Sequence, residues 1–170
     1  MTLIVCGLSE VERIVAARRP SHLVTLLDPA TMIDTPGGLA AERHLRLGVN
    51  DIAEPMEGLM APDEQVVMRL LDFGRGWDET APMLIHCWAG ISRSTASAFV
   101  LACERSPEAC ERDIAMAMRR AAPHASPNRR IVALGDDILG RGGRMVDAVA
   151  AMGASGLYSG VPFDFAARHG

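Results

Sequence analysis

Lysine is absent from this chain: all 17 of its basic side chains are arginine. Set against 21 acids they leave a net charge of −4, without the basic excess that a nucleic-acid-binding surface needs. In an alanine-rich composition, the missing lysine fits the coding bias of a GC-rich bacterial genome. Cysteine is sparse. The four, at positions 6, 87, 103 and 110, contain no C-x-x-C pair, which argues against a disulfide framework and for reduced thiols. None of the five histidines has a metal-ligand spacing such as H-x3-H, so no metal site is expected. Apolar runs stop well short of the roughly 18 residues that span a bilayer. Met1–Gly7 lacks the charged n-region of a signal peptide. Repeats, low-complexity blocks and linkers are missing too. The expectation is a soluble cytoplasmic protein with neither nucleic acid nor membrane as partner.

What is present is one domain's worth of alternating strands and helices. Leu3–Cys6 reads as a buried strand ended by Gly7, with Ser9 capping a helix from Glu10 to Arg18. His22–Leu27 is a second strand, broken by Asp28-Pro29. His44–Val49 is a third, delivering Asn50 and Asp51 into a loop rich in Pro and Gly. Pro62 opens a helix to Phe73 with Val66, Leu70 and Phe73 as its buried stripe. Met83–Cys87 is a compact apolar strand, and a helix starts near Arg93. Ser106-Pro107-Glu108 predicts a capped start for the next helix. Two more are expected at Asn128–Leu139 and Arg144–Met152. Such interleaving implies an α/β fold: a mostly parallel sheet of four to five strands with helices on both faces. The domain spans 1–155, and 156–170 reads as a loose C-terminal tail.

The chemistry concentrates in His86-Cys87-Trp88-Ala89-Gly90-Ile91-Ser92-Arg93-Ser94. C-x5-R alone is weak, since this composition supplies roughly 0.4 copies by chance. The flanking His86 and Ser94 lower that rate by roughly a few hundredfold, and the strand–loop–helix context is what the chemistry requires. A phosphate dianion needs donors converging on three oxygens. Backbone N–H groups from Trp88 to Arg93 (Trp88, Ala89, Gly90, Ile91, Ser92 and Arg93) form an anion nest at a helix N-terminus. Gly90 lets the loop turn. Arg93 adds a planar two-pronged grip that lysine lacks. The same positive field favours the thiolate of Cys87, the candidate nucleophile. Ser94 is placed to hydrogen-bond the sulfur, and His86 braces the loop from the other side of the strand. Trp88 either flanks a substrate or packs beneath the loop.

This stretch resembles the HC-x5-R-[ST] signature of the protein-tyrosine-phosphatase superfamily, especially its small dual-specificity-like members. Ser126-Pro127-Asn128 is similar to the turn that opens a late helix in those enzymes, which makes Asn128 a structural support. The resemblance implies hydrolysis of phosphorylated proteins or peptides through a phosphocysteine intermediate, without metal or organic cofactor. It also implies an acidic residue on a loop some thirty-odd positions before the cysteine. Asp51 sits at that interval, right after a strand. Glu54 and Glu57 share its loop, Asp28 follows an earlier strand, and Asp63 reads as a helix first-turn acid. There is no Trp-Pro-Asp triplet, so Asp51 rests on position. A rhodanese- or arsenate-reductase-like thiol chemistry, and a non-catalytic phosphate reader, are the alternatives. Cys6, Cys103 and Cys110 read as core, the methionines at 116, 118, 145 and 152 as core filler, and Arg119-Arg120 and Arg129-Arg130 as solvated helix ends.

Overall fold

The computed structural model describes residues 1–156 and 160–170. Strands β1 (Thr2–Gly7), β2 (His22–Leu27) and β4 (Met83–Cys87) are buried along nearly their whole length, as expected for strands covered on both faces. β3 (His44–Gly48) lies at one edge and β5 (Phe163–Ala166) at the other. The order is β3-β2-β4-β1-β5, with every pair parallel except β1 with β5. In register, Cys6 stands opposite His86 and Gly7 opposite Cys87, while Thr25 of β2 faces His86 from the other side. Alternation then puts Cys6, Thr25 and His86 on one face and Cys87 on the other.

The two faces are unequally covered. Helix α1 (Val11–Arg18) alone lays Val11, Ile14 and Val15 against Ile4, Cys6, Leu23 and Leu84. On the opposite face lie α2 (Glu64–Arg75), α3 (Arg93–Arg105), α4 (Glu111–Ala121), α5 (Arg129–Ile138) and α6 (Arg144–Ala151). α3 is buried from Arg93 to Cys103 because it is wrapped by α2, α4, α5 and the sheet. Its small and hydroxyl residues suit that position: Ser97 Oγ donates to the Arg93 carbonyl at 2.9 Å, so burial leaves it satisfied. Gly135 lets α5 approach closely, since a Cβ there would lie 2.7 Å from Val100.

Several local expectations change. The first helix is preceded by a 3-10 turn at Leu8–Glu10, and Ser9 makes no cap hydrogen bond. α4 begins at Glu111 instead of Ser106: the Ser-Pro-Glu stretch closes a turn, with Ala109 N donating to Ser106 O, and Cys110 stands exposed at the N-cap instead of in the core. Arg119 donates to the carbonyls of Met152, Pro123, Ala125 and Gly153, and Arg130 Nε to Pro62 O, so these are inter-element ties and not solvated ends.

The largest correction concerns the expected loose tail. Residues 157–159 of it lie outside the described residues, but Phe163–Ala166 forms β5 against β1, with Phe163, Phe165 and Ala167 buried at every second position. Ala167 N donates to Met1 O, and Arg168 joins Arg105 on Glu79. The apolar alternation outweighs the neighbouring Gly160 and Pro162 because it completes the sheet edge.

Candidate active site

The candidate loop leaves β4 at Cys87, enters α3 at Arg93, and is built by fixing its carbonyls. His86 Nδ1 donates to Cys87 O at 3.3 Å and Leu8 N to Trp88 O at 3.1 Å. Ser126 N donates to Ile91 O at 2.9 Å, and Asn128 N to Ser92 O at 3.2 Å. Among the described residues every peptide is trans, so each C=O and the following N–H point in opposite directions. Holding these four carbonyls outward turns the N–H groups of Trp88, Ala89, Ser92 and Arg93 toward the hollow the loop encloses. Gly90 takes φ +74° with its α-carbon pressed on β1; a Cβ there would lie 2.6 Å from Gly7 N, too close for any side chain.

The start of α3 is left open to an anion. Ser92 is its N-cap, yet the hydroxyl makes no cap hydrogen bond and donates instead to Asp51 Oδ1 at 2.7 Å. The first-turn N–H groups therefore keep their donor capacity and the positive end of the helix dipole.

Cys87 is 2% exposed, and its Sγ lies 3.2 Å from Ser94 Oγ. Arg93 is 4% exposed and is gripped on one prong only, Nη1 donating to Asp28 Oδ1 at 2.8 Å and to Val49 O at 2.7 Å. Its buried Nε has no hydrogen-bond partner among the described residues. An orphaned donor on a buried guanidinium is costly unless an acceptor arrives, and an oxyanion in the loop is the acceptor that fits.

The sequence reading brought Cys87, Arg93, Ser94 and Asp51 together, and the structure does the same. Asn128 does more than the expected support: its Oδ1 caps α5, accepting from Arg130 N and Ile131 N, while its Nδ2 donates to Asp51 Oδ1 at 2.9 Å. Asp63 caps α2 by accepting from Val66 N. Glu54 and Glu57 are exposed on the Asp51 loop. Trp88 is 61% exposed, so it does not pack beneath the loop. The sequence presents Asp28 only as a candidate acid and does not reveal its hold on Arg93. The one signal available was its place at the end of a parallel strand, where ligand-binding residues gather in such sheets.

Below the loop, Thr25 Oγ1 lies 2.7 Å from both His86 Nε2 and His44 Nε2, and His44 Nδ1 lies 3.0 Å from Thr35 Oγ1. Burial, aided by neighbouring positive charge, pushes both imidazoles down to about 4. In the unfolded chain they titrate near 6.5, so between those values the unfolded state binds more protons and stability falls as pH falls. The urea midpoint is expected to drop between pH 7.5 and pH 4.5 by an amount equivalent to a few kcal/mol. His44→Asn is expected to flatten that drop; an unchanged pH dependence in this variant would remove His44 as a source.

By sequence, no family model and no curated protein matches the chain. Solved structures do. DUSP15 aligns with a TM-score of 0.61 at 16% identity, covering 87% of this chain and 88% of that one. PTPMT1 in complex with PI(5)P aligns at 0.59 and 14% identity, covering 88% and 91%. The PTP-2 phosphatase of Cydia pomonella aligns at 0.58 and 20%, covering 78% and 83%. The chain has the fold of the tyrosine and dual-specificity phosphatases. Among the described residues no helix is long and apolar enough to cross a membrane.

Proposed function

We propose that the protein is a cysteine-dependent phosphomonoester hydrolase working through a phosphocysteine intermediate, with phosphotyrosine-containing or dual-specificity protein substrates. The observation that carries this reading is the half-occupied guanidinium of Arg93, braced on Nη1 and buried without a partner on Nε. In the first step the Cys87 thiolate attacks phosphorus and the ester P–O bond breaks, while Asp51 gives its proton to the leaving oxygen. Asp51 Oδ1 is taken by Ser92 and Asn128, which leaves Oδ2 to carry that proton. In the second step water attacks phosphorus, Asp51 takes the water's proton, and the S–P bond breaks. Ser94 hydrogen-bonds the departing thiolate, and inorganic phosphate leaves. Sulfur transfer or arsenate reduction needs no such acid, so the link between Asp51 and the loop supports hydrolysis.

The substrate preference follows from charge. Trp88, Ala89, Gly90, Ile91 and Ser92 are uncharged, and a polyphosphoinositide would need a separate donor for each extra phosphate. Arg130 is engaged with Pro62 O, although Arg129 stands exposed two residues beyond Pro127. A single aryl phosphate needs only the nest, Arg93 and an apolar wall, which exposed Trp88 supplies. kcat/KM is therefore expected to be higher on phosphotyrosine peptides than on soluble phosphoinositides at matched ionic strength. A clear preference for phosphoinositides would overturn this and assign Arg129 to the pocket; no hydrolysis of either set would sink the phosphatase reading.

A further inference from the structure

The hydroxyl of Thr25 hydrogen-bonds two histidines from different strands and, among the described residues, no other group, and donor counting fixes the direction of every bond. A carbonyl can only accept, so His86 Nδ1 carries the proton that it gives to Cys87 O. In a neutral imidazole Nε2 is then an acceptor, and Thr25 Oγ1 must donate to it. With its one proton spent, Thr25 Oγ1 accepts from His44 Nε2–H. His44 Nδ1 is then an acceptor in turn, and Thr35 Oγ1 donates to it. All four bonds run the same way, from the loop after β2 to the carbonyl of Cys87. Thr25 and His86 are fully buried and His44 is nearly so, which makes a broken link costly. The lowered proton affinity of both rings agrees with the neutral forms this counting requires.

We infer that Thr25 and His44 are positioning residues for the phosphate loop, holding the Cys87–Trp88 peptide through His86 so that the Trp88 N–H stays turned into the nest. The inference rests on the reading of this loop as an anion cradle and deepens it. Aligned bonds reinforce one another, so the chain stiffens the peptide plane that carries both the sulfur's residue and the first nest donor. β2 and the residue that follows it thus brace the site twice, at the carbonyl of Cys87 through Thr25 and at Arg93 through Asp28.

Two measurements on the full chain test it. Imidazole nitrogen-15 spectra near pH 7 are expected to show both rings neutral, His86 protonated on Nδ1 and His44 on Nε2; the opposite tautomer in either ring overturns the inference. Alkylation of Cys87 by iodoacetate, itself a small anion, reads the nest and the thiolate together. Thr25→Val keeps the shape and loses the hydroxyl, and is expected to slow alkylation near pH 6 about tenfold, with Thr25→Ser restoring it to within about twofold. If Val matches wild type, or Ser is as slow as Val, the hydroxyl has no such role. Should Thr25→Val fail to fold, Thr35→Val at the partly exposed end of the chain is expected to slow alkylation in the same direction and to mix the His44 tautomers; an unchanged rate with unchanged tautomers overturns the inference. Neither readout uses turnover, so their outcome is separate from that of the hydrolysis assay.

Discussion

Cys87→Ser is expected to lower turnover of a phosphotyrosine peptide by about four orders of magnitude or more while leaving vanadate and phosphate binding measurable. The serine hydroxyl occupies the sulfur's place beside Ser94 without disturbing it. The carbonyls of residues 87, 88, 91 and 92 keep their partners, so the nest survives. What disappears is the thiol nucleophile, because an alcohol is a far weaker nucleophile than a thiol in the same place. Calorimetric titration with vanadate alongside the activity assay separates the two losses. Full activity in Cys87→Ser would rule out the nucleophile. A loss of vanadate binding equal to the loss of turnover would mean that the sulfur holds the loop together and that binding and chemistry are not separable here.

Much of this site was legible because its parts are local. The His86–Ser94 stretch carries the proposed nucleophile, the nest and the guanidinium within nine consecutive residues, and the apolar run Met83–Cys87 reads directly as the strand that aims them. Asp51 was reachable because a strand end and an interval of chain both point to it. The braces were not legible, since each depends on a register that only the folded sheet defines. Asp28 meets Arg93, and Thr25 meets His86, only once β2 has paired with β4 in one particular alignment. Likewise β5 was hidden: four alternating residues between a glycine–proline stretch and the C-terminus give a signal no stronger than many loops, and it becomes a strand because β1 offers an unpaired edge. The misplaced start of α4 has the same origin, a locally good cap sequence overridden by where Arg141 and Glu111 pair in the buried seam between helices.

The two aspartates beside the loop are expected to fail in opposite ways when neutralised. Asp51→Asn removes the proposed proton carrier and keeps the shape: an amide oxygen at the Oδ1 position still accepts from Ser92 and Asn128. Hydrolysis of a phosphoester with a poor leaving group should slow by ~10²-fold or more, the usual scale for losing a general acid. KM should hardly move, and an activated aryl phosphate, whose leaving oxygen needs little help, should be far less affected in the first step. Asp28→Asn instead weakens the brace on Arg93 Nη1, replacing an ion pair with a hydrogen bond to a neutral amide on a guanidinium that is almost wholly buried. Its cost should appear in phosphate and vanadate affinity and in KM, about tenfold, equally for good and poor leaving groups. Measuring kcat and KM for both variants on a matched pair of esters decides the assignment. If Asp28→Asn shows the leaving-group dependence and Asp51→Asn does not, the acid and the brace are exchanged: Asp28 gives up its proton from beside Arg93, and Asp51 merely ties Ser92 to Asn128.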